Sequence, residues 1–171
     1  ISNGRDLGNL SVPQIKVANP RRAASWIASQ FYDHPSKDLN IIGITGTNGK
    51  TTTASLVNSI LEKSGFNTAQ LGTLGIISLG KRIQKNTLTT FDQLHLQKVL
   101  HSLKKDSITH VIMEVSSHSL DQSRVADIDF NVAAFTNLTQ EHLDYHGTME
   151  AYYHSKVKLF KMLPISATAV I

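Results

Sequence analysis

One segment of the sequence has the residue types and spacing of a phosphate-binding loop (P-loop). Residues 43–53 read Gly-Ile-Thr-Gly-Thr-Asn-Gly-Lys-Thr-Thr-Thr, between an apolar segment typical of a buried strand and a segment with helical periodicity. Glycines allow backbone N–H groups to turn toward phosphate oxygens, and the helix N-terminus adds a favourable dipole. We expect Lys50 to contact the β- and γ-phosphates and the Thr51 hydroxyl to bind Mg²⁺.

One position departs from the general P-loop pattern. That pattern has its first glycine at position 44, where this chain has Ile44, and a glycine occurs at Gly46 instead. The alternative is a glycine-rich turn that includes a lysine by chance, but the strand–loop–helix context favours phosphate binding. A GTPase is not indicated, because the sequence lacks an Asn-Lys-x-Asp motif for guanine.

A carboxylate is predicted at the same edge of the sheet. Glu114 lies at the carboxyl end of a predicted strand over residues 110–115, and ligands of open α/β sheets bind at that edge. A carboxylate there suits Mg²⁺ opposite Thr51. An acidic residue at a strand end is more commonly only solvated, and the phosphate loop is what favours the metal-binding interpretation.

Polar side chains suited to anion recognition follow that strand. Ser116 and Ser117 supply two hydroxyls, Gln122 an amide and Arg124 a guanidinium, which together suit a carboxylate or phosphate of a second substrate. Taken alone the pattern is weak, because polar side chains of these kinds are also common in loops.

Imidazoles and carboxylates recur between residues 141 and 146, which read Glu-His-Leu-Asp-Tyr-His. In a strand, the alternation places His142, Asp144 and His146 on one face, as a zinc site requires. Alternatively, one of the histidines serves a second Mg²⁺ beside the nucleotide. Both interpretations stay open on the residues alone.

Lys156 lies on a predicted helix, three or four residues from Tyr152, Tyr153 and Phe160, so its face is partly apolar. Partial burial lowers the pKa of a lysine, and only the neutral amine reacts with carbon dioxide to form a carbamate. The alternative is a side chain whose stem lies along apolar surface while its ammonium stays in water, and composition alone favours this alternative.

Apolar periodicity predicts that helices and strands alternate around these residues. Helices are predicted over residues 21–32, 50–64 and 148–162, and another is predicted to begin at a capping box from Thr90 to Gln93. Strands are predicted near residues 39–45, 68–71, 76–79, 110–115, 131–135 and 167–171. This order predicts an α/β fold with a P-loop-containing, mostly parallel sheet and flanking helices.

Length and composition exclude several classes of protein. The 171 residues suit one domain, and a net charge of +4 is too small to indicate nucleic-acid binding. No apolar stretch approaches the ~20 residues of a membrane span. The absence of cysteine excludes a disulfide framework and a thiolate zinc site. Because the last residues suggest a strand that has just begun, we expect the chain to be part of a longer protein.

Together these segments resemble the Mur ligases, the ATP-dependent amide-bond-forming enzymes of bacterial cell-wall synthesis. The resemblance is carried by residues 43–53, by Thr89 and Thr90, by residues 113–124 (MEVSSHSLDQSR) and by residues 135–156 (FTNLTQEHLDYHGTMEAYYHSK). The family has its loop glycine where Gly46 stands. The resemblance implies that residues 20–171 are the N-terminal part of an ATP-binding central domain. Residues 1–19 would be a linker or the tail of a preceding UDP-binding domain.

The resemblance also implies a role for each candidate residue. The residues implied to bind ATP are Gly46, Thr47, Asn48, Gly49, Lys50, Thr51 and Thr52. The metal ligands would be Thr51 and Glu114 for a first Mg²⁺, and His142 with carbamylated Lys156 for a second. The catalytic set would be Lys50, His142 and Lys156. The residues implied to bind a UDP-N-acetylmuramoyl dipeptide are Thr89, Thr90, Ser116, Gln122 and Arg124.

The implied reaction adds the third amino acid, diaminopimelate or lysine, to UDP-N-acetylmuramoyl-L-Ala-D-Glu through an acyl phosphate, with ATP and Mg²⁺ as cofactors. The resemblance further implies a cytoplasmic monomer that binds neither nucleic acid nor membranes. Two alternatives stay open. A folylpolyglutamate-synthase-like ligase would share the loop and Lys156 but lack Ser116, Gln122 and Arg124. A non-catalytic ATP-binding module would bind the nucleotide without releasing phosphate.

Overall fold

The computed structural model describes residue 8 and residues 11–85 and 88–171, so most of the first ten residues of the predicted N-terminal tail lie outside it. The helices are α1 (Pro20–Phe31), α2 (Lys50–Lys63), α3 (Gln93–Lys105), α4 (Ser117–Asp121), α5 (Leu143–His146) and α6 (Met149–Lys161). The strands are β1 (Asn40–Thr45), β2 (Thr68–Gly72), β3 (Gly75–Ser78), β4 (Lys81–Gln84), β5 (His110–Glu114), β6 (Val132–Phe135) and β7 (Thr168–Val170).

The strands form one sheet in the order β4-β3-β2-β5-β1-β6-β7. Strands β2, β5, β1, β6 and β7 are parallel, while β3 and β4 extend the sheet as an antiparallel hairpin beside β2. The predicted α/β fold with a mostly parallel sheet is confirmed. Because β1 lies between β5 and β6, the loops that leave the carboxyl ends of these three strands meet at one edge.

Both faces of the sheet are covered, and β5 shows how its residues are divided between them. Val111 and Met113 belong to the larger apolar cluster, which includes Leu96 and Leu100 of α3. Ile112 points the other way, into a smaller cluster with Ala54 of α2. Strands buried on both faces are continuously apolar, as the central strands are here. None of the helices in the described part of the chain combines the length and apolarity needed to cross a membrane.

The predicted capping box at Thr90 is wrong. Helix α3 begins at Gln93 with Asp92 as its N-cap, and the Asp92 carboxylate accepts a hydrogen bond from the backbone N–H of His95. The Thr90 hydroxyl instead donates to the backbone oxygen of Glu114 at 2.9 Å. The hairpin strand β4 was not predicted from the sequence, because all of its residues are exposed and carry no apolar alternation.

Candidate functional site

The loop between β1 and α2 needs glycine at two positions. Gly46 has φ 143°, and a Cβ atom there would lie 1.9 Å from the hydroxyl oxygen of Thr136. Gly49, the N-cap of α2, has φ 84° in the left-handed region. Because glycine has no side chain, the chain can approach the residues after β6 closely at Gly46 and can enter the helix in a left-handed conformation at Gly49. The N–H groups of the first turn of α2 are thereby left for an anion.

Residues after β6 hold this loop in place. The backbone N–H of Thr47 donates to the Asn137 oxygen at 2.9 Å, and that of Asn48 donates to the Asn137 side-chain oxygen at 3.0 Å. The Thr136 hydroxyl donates to the Asn48 oxygen at 2.6 Å, while the Thr139 N–H donates to the Thr47 hydroxyl at 3.0 Å. No pattern in the sequence indicates a role for these supporting residues, although they lie within the segment that carries the family resemblance.

The Lys50 side chain folds back onto its own loop. Its Nζ donates to the backbone oxygens of Gly46 and Thr47, at 2.9 and 2.7 Å. Burial lowers the pKa of Lys50, and the nearby carboxylates of Glu114 and Glu141 partly oppose that shift. The ammonium therefore lies against the loop backbone, within the group of residues predicted to bind ATP.

Thr51 and Glu114, predicted as partners in Mg²⁺ binding, lie together. The Thr51 hydroxyl donates to Glu114 Oε2 at 2.8 Å. The Glu114 side chain is buried and also accepts from the backbone N–H of Thr73, at 2.9 Å to Oε1. A Cβ at position 72 would lie 2.1 Å from that same oxygen, so Gly72 gives the carboxylate its space. Hydroxyl and carboxylate oxygens are the ligands that Mg²⁺ prefers. Gly72 and Thr73 carried no signal in the sequence.

Lys156 is buried, with 1% of its surface exposed. Its Nζ donates to the Gly46 oxygen at 2.8 Å and lies 4.3 Å from the centre of the Tyr152 ring. Burial, reinforced by the positive charge of Lys50, lowers the pKa of Lys156 to about 7. The alternative with an ammonium in water is therefore wrong. The partner ring is Tyr152, whereas Tyr153 is about half exposed.

Residues 141–146 do not form the strand that a zinc site would need. His142, with φ 55°, is the N-cap of the short helix α5, so His142, Asp144 and His146 do not alternate along one face. The described residues contain no group of three or more His, Cys, Asp or Glu side chains that could hold a metal. The His142 side chain is 43% exposed, 3.8 Å from the Glu141 carboxylate, and its ring centre lies 4.8 Å from that of His118.

The residues predicted to bind the second substrate are joined to the end of β5. The Thr90 hydroxyl, which donates to the Glu114 backbone oxygen, also accepts from the Ser116 N–H at 3.1 Å. Arg124 Nη1 donates to the Thr90 oxygen at 3.0 Å. Thr89 receives a 3.3 Å hydrogen bond from the Thr73 hydroxyl. The backbone and side chain of Glu114 thus connect this group to the phosphate loop.

Gln122 completes that group through Arg124. The Arg124 atoms Nε and Nη2 donate to Gln122 Oε1 at 3.1 and 2.6 Å. The remaining loop residue of the predicted ATP site, Thr52, is exposed in the first turn of α2. The structure thus places all of the predicted site residues around the carboxyl ends of β1, β5 and β6, with His142 the most exposed member outside the loop.

A family model and curated relatives match most of this chain. Residues 44–171 match the model of the Mur ligase middle domain. A UDP-N-acetylmuramoyl-L-alanyl-D-glutamate–2,6-diaminopimelate ligase of Halalkalibacterium halodurans is 46% identical over 90% of this chain and 32% of the relative. UDP-N-acetylmuramyl-tripeptide synthetase 2 of Oceanobacillus iheyensis is 48% identical over 88% of this chain and 31% of the relative. The chain spans about a third of the length of these curated relatives.

Solved structures share the fold. A UDP-N-acetylmuramoyl-L-alanyl-D-glutamate–2,6-diaminopimelate ligase superposes with a TM-score of 0.75 at 36% identity, over 91% of this chain and 32% of the other. Escherichia coli FolC in complex with DHPP and ADP superposes with a TM-score of 0.63 at 20% identity, over 88% and 41%. The second likeness concerns the fold alone. By the match of its residues 44–171 to the middle domain, the chain belongs to the Mur ligase family.

Proposed function

We propose that this chain provides the ATP-binding site of a ligase that adds diaminopimelate or lysine to UDP-N-acetylmuramoyl-L-Ala-D-Glu. The observation that carries the proposal is the position of Glu114. Its side chain meets Thr51 of the phosphate loop, and its backbone oxygen meets Thr90 beside Arg124. Glu114 thus contacts both the residues assigned to ATP and the residues assigned to the second substrate. Phosphoryl transfer between two bound substrates requires that their sites adjoin in this way.

ATP is assigned to the residues from Gly46 to Thr52. Glycine at positions 46 and 49 gives the loop its curvature, and the N–H groups at the start of α2 supply donors and a favourable dipole for phosphate. Lys50 would exchange its two backbone acceptors for phosphate oxygens, which places a positive charge at the transferred group.

The residues at the site fit Mg²⁺. Glu114 is buried, and the partners described above, Thr51 and Thr73, are neutral donors, so a cation would compensate its charge. Thr51 and Glu114 are assigned to a first Mg²⁺, and His142 with carbamylated Lys156 to a second. When bound, Mg²⁺ supplies electrostatic stabilisation of the negative charge that develops on the phosphates.

Lys156 is assigned as the carbamate. With a pKa of about 7, its neutral amine is populated near neutral pH and its nitrogen can form a bond to the carbon of carbon dioxide, with loss of a proton. The product is an anion with two oxygens, which suits Mg²⁺. An unmodified ammonium would instead place like charges side by side in a buried cleft.

The reaction then has two transfers. A carboxylate oxygen of the UDP-sugar dipeptide attacks the γ-phosphorus of ATP, and the bond from that phosphorus to the oxygen of the β-phosphate breaks. ADP departs, and the dipeptide is left as an acyl phosphate. The amine of the incoming amino acid attacks the acyl carbon, phosphate leaves, and the amine loses a proton. Arg124, Gln122, Ser116, Thr89 and Thr90 are assigned to hold the dipeptide substrate, and Lys50 to neutralise charge that would repel the attacking carboxylate.

The proposal extends to organisation and location. Residues 20–171 are assigned to the ATP-binding central domain, and residues 1–19 to a linker or a preceding UDP-binding domain. We further propose a cytoplasmic monomer that acts on neither nucleic acid nor membranes. The match of residues 44–171 to the Mur ligase middle domain supports the assignment of the central domain.

The test is phosphate release by the complete ligase with ATP, Mg²⁺ and the UDP-sugar dipeptide, with either diaminopimelate or lysine added. We expect release only when one of these amino acids is present. Nucleotide binding without release would identify a non-catalytic module. Release with a folate and glutamate, but not with the UDP-sugar dipeptide, would identify a folylpolyglutamate-synthase-like ligase.

A further inference from the structure

A chain of side-chain hydrogen bonds leads from Arg124 to the surface of α6. Gln122, whose Oε1 accepts from Arg124, donates from Nε2 to the Tyr145 hydroxyl at 3.3 Å. That hydroxyl donates to Asp121 Oδ2 at 3.0 Å. Lys158 Nζ donates to Asp121 Oδ1 at 2.8 Å. Tyr145 of α5 is therefore linked to the arginine through one amide side chain.

The direction of each hydrogen bond in this chain is fixed by chemistry. The ionised Asp121 carboxylate can only accept, so the single hydroxyl hydrogen of Tyr145 points to Asp121 and an oxygen lone pair faces Gln122. The Gln122 NH₂ group must then lie on the Tyr145 side, which turns its Oε1 toward the guanidinium. The hydrogen bond from Lys158, with that from Tyr145, lowers the pKa of Asp121 and keeps it an acceptor.

We propose that Tyr145 is a positioning residue that fixes Gln122, and through it Arg124, in the orientation that receives the anionic group of the second substrate. The inference rests on the proposed function, in which Gln122 and Arg124 bind that substrate. The guanidinium uses Nε, Nη1 and Nη2 for Gln122 and Thr90. Since the group is planar, these three bonds determine where its two other N–H bonds point.

The Tyr145 ring also packs against two neighbouring rings, so a substitution that tests the role of the hydroxyl must preserve the ring. The ring centre lies 4.3 Å from that of His118 and 4.8 Å from that of His146. Replacement by phenylalanine keeps the ring and removes the hydroxyl. Tyr145→Phe therefore separates the positioning role from packing, and Tyr153→Phe on the exposed side of α6 is the matched control.

In the complete ligase, we expect Tyr145→Phe to raise the KM for the UDP-sugar dipeptide about tenfold, because the Gln122 amide loses a partner and its fixed orientation. The KM for ATP should change by less than about twofold, because none of these bonds involves the phosphate loop. Tyr153→Phe should leave both values within about twofold of wild type. A wild-type KM for the dipeptide in Tyr145→Phe would overturn the inference.

A double-mutant cycle tests whether Tyr145 acts through Gln122. In the Gln122→Ala background, Tyr145→Phe should raise the KM for the dipeptide no further, since the group it orients is gone. Fully additive effects would overturn the inference. If thermal melting shows that Tyr145→Phe does not fold, Asp121→Asn takes its place in the same cycle. It is expected to raise the KM about threefold by weakening a charge-assisted bond.

Arg124→Lys distinguishes failure of the inference from failure of the proposed function. A raised KM for the dipeptide in Arg124→Lys, together with a wild-type KM in Tyr145→Phe, would overturn the positioning role alone. An unchanged KM in Arg124→Lys would overturn the substrate assignment on which both depend.

Discussion

The phosphate loop and the segment 141–146 follow the carboxyl ends of neighbouring strands, β1 and β6, but they are held in different ways. Backbone and side-chain hydrogen bonds join the loop to Thr136, Asn137 and Thr139, and two lysines donate to the Gly46 oxygen. In the other segment, His142 is 43% exposed and lies 3.8 Å from a neighbouring carboxylate.

The two regions differ in how much they would have to reorganise when ligands bind. The loop geometry is already determined by the protein's own contacts, so ATP binding would require little reorganisation beyond moving Lys50. The imidazole of His142 has few such constraints, and its orientation is left to the metal and substrates that we assign to it. Substitutions in the loop should therefore affect folding and catalysis together, whereas substitution of the exposed His142, or of Gly147 where an added Cβ would meet no atom within 4 Å, should affect folding much less.

The largest effect is expected in the loop. Lys50→Ala and Thr51→Ala should each lower kcat of the complete ligase at least about a hundredfold. Lys50→Ala removes the positive charge assigned to the transferred phosphate, and Thr51→Ala removes a ligand assigned to the first Mg²⁺. The measurement is steady-state phosphate release. Lys63→Ala, at the far end of the same helix, is the control and should stay within about twofold of wild type. Activity within twofold in either loop variant would mean that this loop is not the ATP site.

Lys156→Arg should be nearly inactive although it keeps the positive charge, because a guanidinium cannot form the carbamate. Carbon-13 NMR with labelled bicarbonate should show a carbamate signal in wild type and lose it in Lys156→Arg. Since the neutral amine is the reactive form and the pKa is about 7, the rate of carbamate formation should fall as pH is lowered below 7. An equal signal in both proteins would contradict the assignment.

Alanine substitutions at two glycines, one in each region, test how strongly each region contributes to the stability of the fold. Gly46→Ala places a methyl group against Thr136 at φ 143°, whereas Gly147→Ala, at φ 76°, meets no atom within 4 Å. We expect Gly147→Ala to lower the free energy of unfolding by about 2 kcal/mol, because the φ of 76° and ψ of −47° at this position are strained for a residue with a Cβ. Gly46→Ala should cost about 3 kcal/mol or more, since strain and overlap add. Urea unfolding measures both, and equal losses would remove the distinction between the regions.

The sequence predicted the loop's place between β1 and α2 because that information is local. Glycines, a lysine and hydroxyls stand together between a strand and a helix, and Glu114 could be placed opposite Thr51 from the rule that parallel strands end at one edge. The supporting residues 136–139 were missed because they contact the loop from about 90 residues away, and loop hydroxyls and amides have no periodic pattern.

Two local patterns were misleading for a physical reason. Thr90 and Gln93 have the spacing of a capping box, but the Thr90 hydroxyl is buried and bonded to the end of β5, so Asp92 caps the helix. Residues 141–146 alternate like a strand, yet His142 adopts a left-handed conformation and a helix follows. In both cases the competing arrangement is decided by contacts or backbone geometry that spacing does not encode.

The smallest effect is expected in the second-substrate group, which is linked to the phosphate loop through Glu114 and to Tyr145 through Gln122. Arg124→Lys keeps the charge but removes the planar, two-pronged contact, so it should raise the KM for the UDP-sugar dipeptide about tenfold and leave the KM for ATP nearly unchanged. Arg82→Lys on the exposed strand β4 is the control and should leave both constants within about twofold. The measurement is initial-rate kinetics with each substrate varied in turn. Because Arg124 bonds to Thr90 and not to the loop, an increase in the KM for ATP alone would reassign it to the nucleotide.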